Sequence, residues 1–304
     1  FCHHICMVDI VIVGSVALDS VKTPFGAVSD ALGGAASYSA FAASFFSKPG
    51  IVGIVGSDFP REHLELFRSR NISTAGIKIS NGKTFRWSGY YEYDMNQAHT
   101  TDTQLNAFEN FSPSIPEDYK SAKNLFLANI DPSLQLSVLE QMTPSLVVAD
   151  TMNYWIEKKK EQLLEVIKKS NVFLLNDSEA RELFKTTNLI SAGRKILALG
   201  PGAVIIKKGE HGALLLTDGK IFSLPGYPLE NVRDPTGAGD SFAGAFIGYL
   251  SKSGFDENSV RKAVVYGSAV ASFNVEDFSL NRLKKIAMND IEARYKEFEA
   301  MVKF

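Results

Sequence analysis

A chain of 304 residues, 45% hydrophobic and 22% charged, has apolar material for a large core and belongs among globular rather than disordered proteins. A formal net charge of −2 offers no basic field for nucleic acid, and no apolar run reaches the roughly 18 to 20 residues of a membrane span. Both cysteines, Cys2 and Cys6, fall in the first six residues; the body therefore has no disulfide framework, and with no basic-then-apolar leader the expectation is a cytoplasmic protein.

The opening FCHHIC carries metal-ligand side chains in Cys2, His3, His4 and Cys6, but a terminal cluster with no second ligand group makes a poor zinc cage. It reads as a start-site or cloning extension before Met7, which leaves one domain over 7–304. Runs rich in valine, isoleucine and leucine at 9–14, 51–55, 124–128, 146–149, 172–175 and 203–207 predict strands separated by helical patterns. Continuous apolar strands alternating with helices give an α/β fold class: a mostly parallel central sheet sandwiched by helices. The small apolar stretch 35–46 predicts a helix packed on that sheet. Another is predicted over 155–169, with Lys158, Lys159 and Lys160 on a solvated face, and an amphipathic helix over 286–304 closes the chain.

Segments 18–32 and 77–103 break this rhythm. They alternate polar and apolar residues at period two, with a turn signal at Asn81-Gly82, and predict antiparallel strands forming a small β lid. At that period Phe85, Trp87, Tyr91 and Tyr93 share one face, suited to stacking on a ligand ring or to packing against a second subunit's lid. Gly82-Lys83-Thr84 resembles the end of a P-loop, but Ile77 stands where that loop needs glycine. No G-x-G-x-x-G follows the first strand either, so a P-loop NTPase and a dinucleotide oxidoreductase are disfavoured.

The most informative stretch is 232–250, VRDPTGAGDSFAGAFIGYL. Asp234 and Pro235 break the preceding structure, Thr236-Gly237-Ala238-Gly239 forms a turn with little side-chain bulk, and helical spacing begins at Asp240. Free amides and the dipole at a helix start make an anion site, where a carboxylate fits either a plain N-cap or a general base facing a hydroxyl under attack. Upstream, Asp19 follows the first strand and would alone be read as a turn residue, while Gly33-Gly34 opens the helix that carries Tyr38. Asn176 and Glu179 have capping-box spacing after a strand. Lys208-Gly209-Glu210-His211-Gly212 joins two strands, and 267–274 presents small residues on a helix face that fits tight packing or a flat ligand.

In this order these segments resemble the ribokinase/PfkB carbohydrate kinase family, whose D-T-x-G-A-G-D signature is matched by Asp234-Pro235-Thr236-Gly237-Ala238-Gly239-Asp240 with an altered proline and threonine order. The resemblance implies a ribokinase-like fold and ATP-dependent phosphorylation of a hydroxyl on a sugar or sugar-like molecule. A nucleoside kinase of the same fold is the alternative; a non-catalytic ligand-binding protein on that scaffold is the reading from another class. It implies Asp240 as general base and Gly237, Ala238 and Gly239 as the anion hole. Asp19, Gly33, Gly34 and Tyr38 fall at the acceptor; Tyr38 stands where the family often has asparagine, and a phenol cannot reproduce the amide's paired donor and acceptor. Asn176, Lys208, Gly209, Gly212, Thr236, Ser268, Ala271 and Asn274 fall at the nucleotide. Glu179 would organise Mg2+ through water, Asp234 is the candidate for a K+ ion, and a homodimer through the lid is the implied assembly.

Overall fold

The computed structural model describes residues 8–303, so the expectation for residues 1–6 lies outside the described residues. In chain order the strands are β1 Ile10–Val13, β2 Ala17–Thr23, β3 Gly26–Gly33, β4 Pro49–Gly56, β5 Ser73–Ser80, β6 Phe85–Tyr91, β7 Ala98–Gln104, β8 Asn124–Leu127, β9 Leu146–Ala149, β10 Val172–Asn176, β11 Ala203–Lys207, β12 Ala213–Thr217 and β13 Lys220–Leu224. The helices are α1 Ala35–Ala43, α2 Arg61–Ser69, α3 Pro132–Leu139, α4 Asn153–Lys158, α5 Lys160–Lys169, α6 Asp177–Phe184, α7 Leu189–Leu197, α8 Ala238–Ser253, α9 Glu257–Asn274 and α10 Met288–Val302.

Nine strands form one sheet in the order β13-β12-β11-β10-β9-β8-β1-β4-β5, parallel from β11 to β5 and antiparallel at β12 and β13. The pleat explains why its strands are apolar throughout. Ile10 and Ile12 enter one core with α1, α8 and α9, while Val11 and Val13 enter the other with α3, α5 and α7. Every residue of β1 is buried. Parallel strands leave their carboxyl ends together, and the loops after β1, β9, β10 and β11 open on one edge, where open α/β sheets bind ligands.

Four strands form the lid, in the order β3-β2-β6-β7. Two corrections to the expected lid follow. Ile77 to Ser80 belongs to β5, parallel to β4 at the rim of the main sheet; an edge strand covered on one face alternates just as a lid strand does. Nor is the lid wholly antiparallel, because β2 pairs parallel with β6. Asn81-Gly82 is therefore the crossover from main sheet to lid. Asp58 holds it there, accepting from the Thr84 amide and hydroxyl, each at 2.7 Å, and pairing with Arg86 at 2.8 Å. Thr84 is buried in these bonds, which leaves the apparent P-loop ending a structural role.

The helix expected over 155–169 is two, broken at Lys159. Lys158 and Lys160 lie exposed as expected, Lys159 is half-buried in an ion pair with Asp131 at 2.9 Å, and Lys160 also donates to the Leu183 carbonyl at 2.6 Å.

Candidate active site

The helix α8 starts at the open edge of the sheet because Gly237, at φ 76°, turns the chain in the left-handed region that glycine adopts at least cost. The Ala238 amide closes that turn on the Pro235 carbonyl at 3.1 Å. Gly239 and Asp240 follow in the first turn, where helix geometry supplies no backbone acceptor for their amides. The loop before it is tied down from two sides. Asp234 accepts from the Thr236 amide at 2.9 Å, and Asn274 donates to the Thr236 carbonyl at 2.8 Å while accepting from the Ser241 hydroxyl at 3.2 Å. Asn274 is fully buried with both amide ends engaged, which is the geometry of a fastener for this loop rather than of an adenine contact. Ser268 and Ala271, about two turns and one turn before it, are the partly open positions of an otherwise buried stretch.

Small residues let α1 cross α8 at near contact. A β-carbon on Gly244 would overlap the Ser39 backbone, and the Ser39 hydroxyl donates to the Asp240 carbonyl at 3.0 Å. This crossing drives the buried Tyr38 ring against Gly237, where a β-carbon would overlap it. Gly33 is filled in the same sense by the Asp19 carboxyl, and Asp19 also accepts from the Gly34 amide. Thus Asp19, Gly33, Gly34 and Tyr38 meet the turn of Gly237 and Asp240 at one place.

The lid contributes directly. Asp19 and Trp87 are paired across β2 and β6, so their side chains leave the same face. Trp87 covers Gly89 and donates to Thr100 at 3.1 Å. At the end of β6 the Tyr91 hydroxyl accepts from the Thr236 hydroxyl at 3.3 Å, which bonds the lid to the loop before α8. The hairpin beyond it reaches the nucleotide-type loop, where Asn96 Oδ1 would lie 3.3 Å from a β-carbon on Gly209. Gly209 and Gly212 both have positive φ, and Lys208 donates to the Gly212 carbonyl at 2.7 Å, so backbone rather than side chains shapes this loop.

Asn176 caps α6 in a full capping box. It accepts from the Glu179 amide at 2.8 Å, and both Glu179 oxygens accept from Asn176, its amide at 2.7 Å and its Nδ2 at 2.8 Å. Two groups that sequence reasoning missed stand beside it. Asp150, just past β9, is buried and ion-pairs at 2.6 Å with Lys207, the last residue of β11. Lys207 Nζ lies 3.2 Å from where a β-carbon on Gly239 would stand, over the first turn of α8. Both were legible in principle, since each is a charged residue ending an apolar strand at the carboxyl edge of the sheet.

Three carboxyls, of Asp150, Glu179 and Asp240, thus act on one ammonium, and Asp19 in turn feels Asp234 and Asp240. Burial, reinforced by neighbouring carboxylates, pushes Asp19 to about 7. Burial likewise lifts Asp240 to about 7, with Asp150 adding to the rise and Lys207 opposing it. Glu179 is pushed to about 8 by burial, against the pull of Lys207. Burial alone would lower Lys207, but Asp150 and then Glu179 reverse the sign and hold it above the usual lysine range. Burial raises Asp234 too; its Oδ2 is buried with no hydrogen bond of its own, although the Ser279 amide is near enough to oppose the rise.

A family model described as pfkB family carbohydrate kinase matches residues 3–285. The chain belongs to this kinase family. It is 31% identical to a cytidine kinase of Thermococcus kodakarensis, over 84% of this chain and 93% of that protein. In fold it is similar to a nucleoside kinase of Methanocaldococcus jannaschii, with a TM-score of 0.77 and 21% identity covering 96% of this chain and 99% of that one. A ribokinase of Giardia lamblia gives a TM-score of 0.80 and 20% identity, again covering 96% and 99%. The PfkB kinase therefore has the ribokinase-like fold expected from its motifs, and phosphorylation of a sugar or nucleoside is its class of reaction. Among the described residues no helix is long and apolar enough to cross a membrane.

Proposed function

We propose that this PfkB kinase is an ATP-dependent nucleoside kinase that phosphorylates a ribose hydroxyl. The observation that carries the acceptor is the pairing of Asp19 with Trp87. A buried carboxylate accepts two hydrogen bonds from a vicinal diol, and an indole on the same face of the lid offers a ring to stack on a base. A free sugar has the diol but offers the indole only the C–H face of its own ring, whereas a nucleoside adds a flat base to stack on it. The cytidine kinase and nucleoside kinase to which the chain is similar support the same acceptor.

In this reading the acceptor hydroxyl lies beside Asp240. Asp240 takes its proton as the oxygen attacks the γ-phosphorus in line, while the Gly239 and Asp240 amides stabilise charge on the transferring group. Tyr38 walls the acceptor pocket against Gly237, and Tyr91 closes it from the lid. The adenine would lie along Ser268 and Ala271, with its phosphates over Lys208, Gly209 and Gly212.

The donor set fits magnesium. Both Glu179 oxygens are held by Asn176, an arrangement suited to bonding a metal's water rather than stripping it, and the surplus of carboxyls disfavours a bare triphosphate. Asn176 and Glu179 would hold the hydrated ion, which when bound neutralises charge on the phosphates. Asp234, with its unbonded Oδ2, fits a monovalent cation behind the anion hole.

The test is ADP production from ATP and Mg2+ across a panel of ribonucleosides, deoxyribonucleosides, pentoses and hexoses, with Trp87→Ala as comparison. Turnover with ribonucleosides, and a rise in their KM in Trp87→Ala, is expected. Turnover with free sugars alone, unchanged by Trp87→Ala, would overturn the nucleoside assignment.

A further inference from the structure

Lys207 brings its ammonium in among the carboxyls of Asp150, Glu179 and Asp240, which a transferring phosphoryl group would have to pass. Three observations fix what it does. Its ammonium hovers over the first turn of α8, 3.2 Å from the β-carbon position of Gly239, beside the amides that face the anion. Asp150 takes one of its three N–H donors, at 2.6 Å. Asp150 is itself immobilised: its carboxyl accepts from the Thr151 amide at 2.9 Å, and Gln135 bonds its carbonyl at 3.1 Å while also holding the ends of β8 at Leu127 and Ala128. The ammonium is thus held from behind by a rigid carboxylate, with donors left toward the turn that carries Asp240.

An ion pair made only for stability gains little from such a place, because desolvating two charges offsets most of their attraction. A cation over the transfer site has a use that a buried apolar pair lacks. We propose that Lys207 is a catalytic residue of this kinase: its ammonium bonds an oxygen of the transferring phosphoryl group over α8, and Asp150 is the positioning residue that holds it there. The inference rests on the reading that transfer occurs between the α8 turn and Asp240.

In the step itself the acceptor O–H gives its proton to the Asp240 carboxylate. The acceptor oxygen then bonds the γ-phosphorus as the bond to the β,γ-bridging oxygen breaks, and ADP departs with that electron pair. Lys207 keeps its proton throughout and meets the negative charge spread over the equatorial oxygens. It has a second effect on the base. Lys207 opposes the rise in the Asp240 pKa, so removing it should move the acidic limb of the pH profile to higher pH as well as slow catalysis.

The experiment compares Lys207→Met with wild type in three readouts: turnover, the pH profile, and calorimetric affinity for Mg·ADP and for a non-hydrolysable Mg·ATP analogue. Removal of one such charge-stabilising donor typically costs about 10²- to 10³-fold in kcat. The expected result is a loss of that size with the ADP affinity held within about threefold, the analogue's advantage over ADP lost, and the pH midpoint of kcat/KM raised. A folded variant with kcat within about threefold of wild type and an unchanged analogue-to-ADP ratio would overturn the proposal. If Lys207→Met does not fold, amine labelling of Lys207 in the wild-type protein, read by mass spectrometry, decides instead. Protection by the Mg·ATP analogue beyond that given by Mg·ADP supports the contact, and equal protection overturns it. A wild-type protein that transfers phosphate to no acceptor, or an Asp240→Asn variant that stays active, would instead sink the underlying reading of the transfer site, and the labelling result would still judge Lys207.

Discussion

The Tyr38 ring occupies the space that a side chain on Gly237 would need, so α1 and the turn that opens α8 are in direct contact. Gly237 also sits at φ 76°, where a β-carbon costs about 1 to 2 kcal/mol from the backbone alone. Gly237→Ala should therefore destabilise the protein and slow turnover. Adding Tyr38→Ala should restore the steric part and leave the backbone part, a coupling that denaturant melts of the two single variants and the double variant would measure. Additive losses would mean that the ring yields without cost.

Asp240→Asn should divide function from stability. Losing a positioned base typically costs roughly 10²- to 10⁴-fold in turnover. The same change removes a carboxyl that burial disfavours, so the variant should melt at a higher temperature than wild type above neutral pH. Turnover close to wild type would remove Asp240 from the mechanism.

Stability should fall with pH in the ligand-free protein. Asp240 moves from 3.8 to about 7 on folding and Glu179 from 4.5 to about 8. Between those limits the folded state holds more protons than the unfolded state, so each upward step in pH favours unfolding. The loss should accrue from about pH 4 to about pH 8, the window set by these shifts. Melting temperatures in magnesium-free buffer should drop across that range, with a smaller drop in Asp240→Asn. Activity should run the other way, because the base works only when deprotonated: kcat/KM should climb through neutrality. A melting curve flat in pH would show that the carboxyls are not desolvated as the geometry requires.

Asp234 gives a prediction about salt. If its unbonded oxygen serves a monovalent cation, turnover should be higher in potassium than in sodium buffers, and Asp234→Asn should abolish the difference. Equal rates in both buffers for the wild-type protein would exclude the site.

Much of this was readable from residues, for physical reasons that also explain what was not. Strands buried on both faces must be apolar throughout, so 146–149 and 203–207 stood out and match β9 and β11. The glycine-rich turn before α8 was equally plain. Period-two alternation, by contrast, reports only that one face of a strand is covered, which is why β5 was indistinguishable from a lid strand. Asp150 and Lys207 were overlooked because each reads as the end of an apolar strand, Lys207 even beside a glycine loop; their meaning is their pairing across two strands that are distant in sequence. Asn274 showed the opposite limit, since a motif position gave its neighbourhood but not that both ends of its amide are already engaged.

The contact between Ser39 and the Asp240 carbonyl, with α1 and α8 pressed together at Gly244, ties the helix that carries Tyr38 and the turn that carries Asp240 into a single stiff unit. On the proposed reading, acceptor choice can then be retuned in the four-stranded lid, through Trp87 and the hairpin at Asn96, while the Asp240 turn keeps its geometry. The chemistry would be carried by the part of the molecule that tolerates least alteration, and the choice of what to phosphorylate by the part that tolerates most.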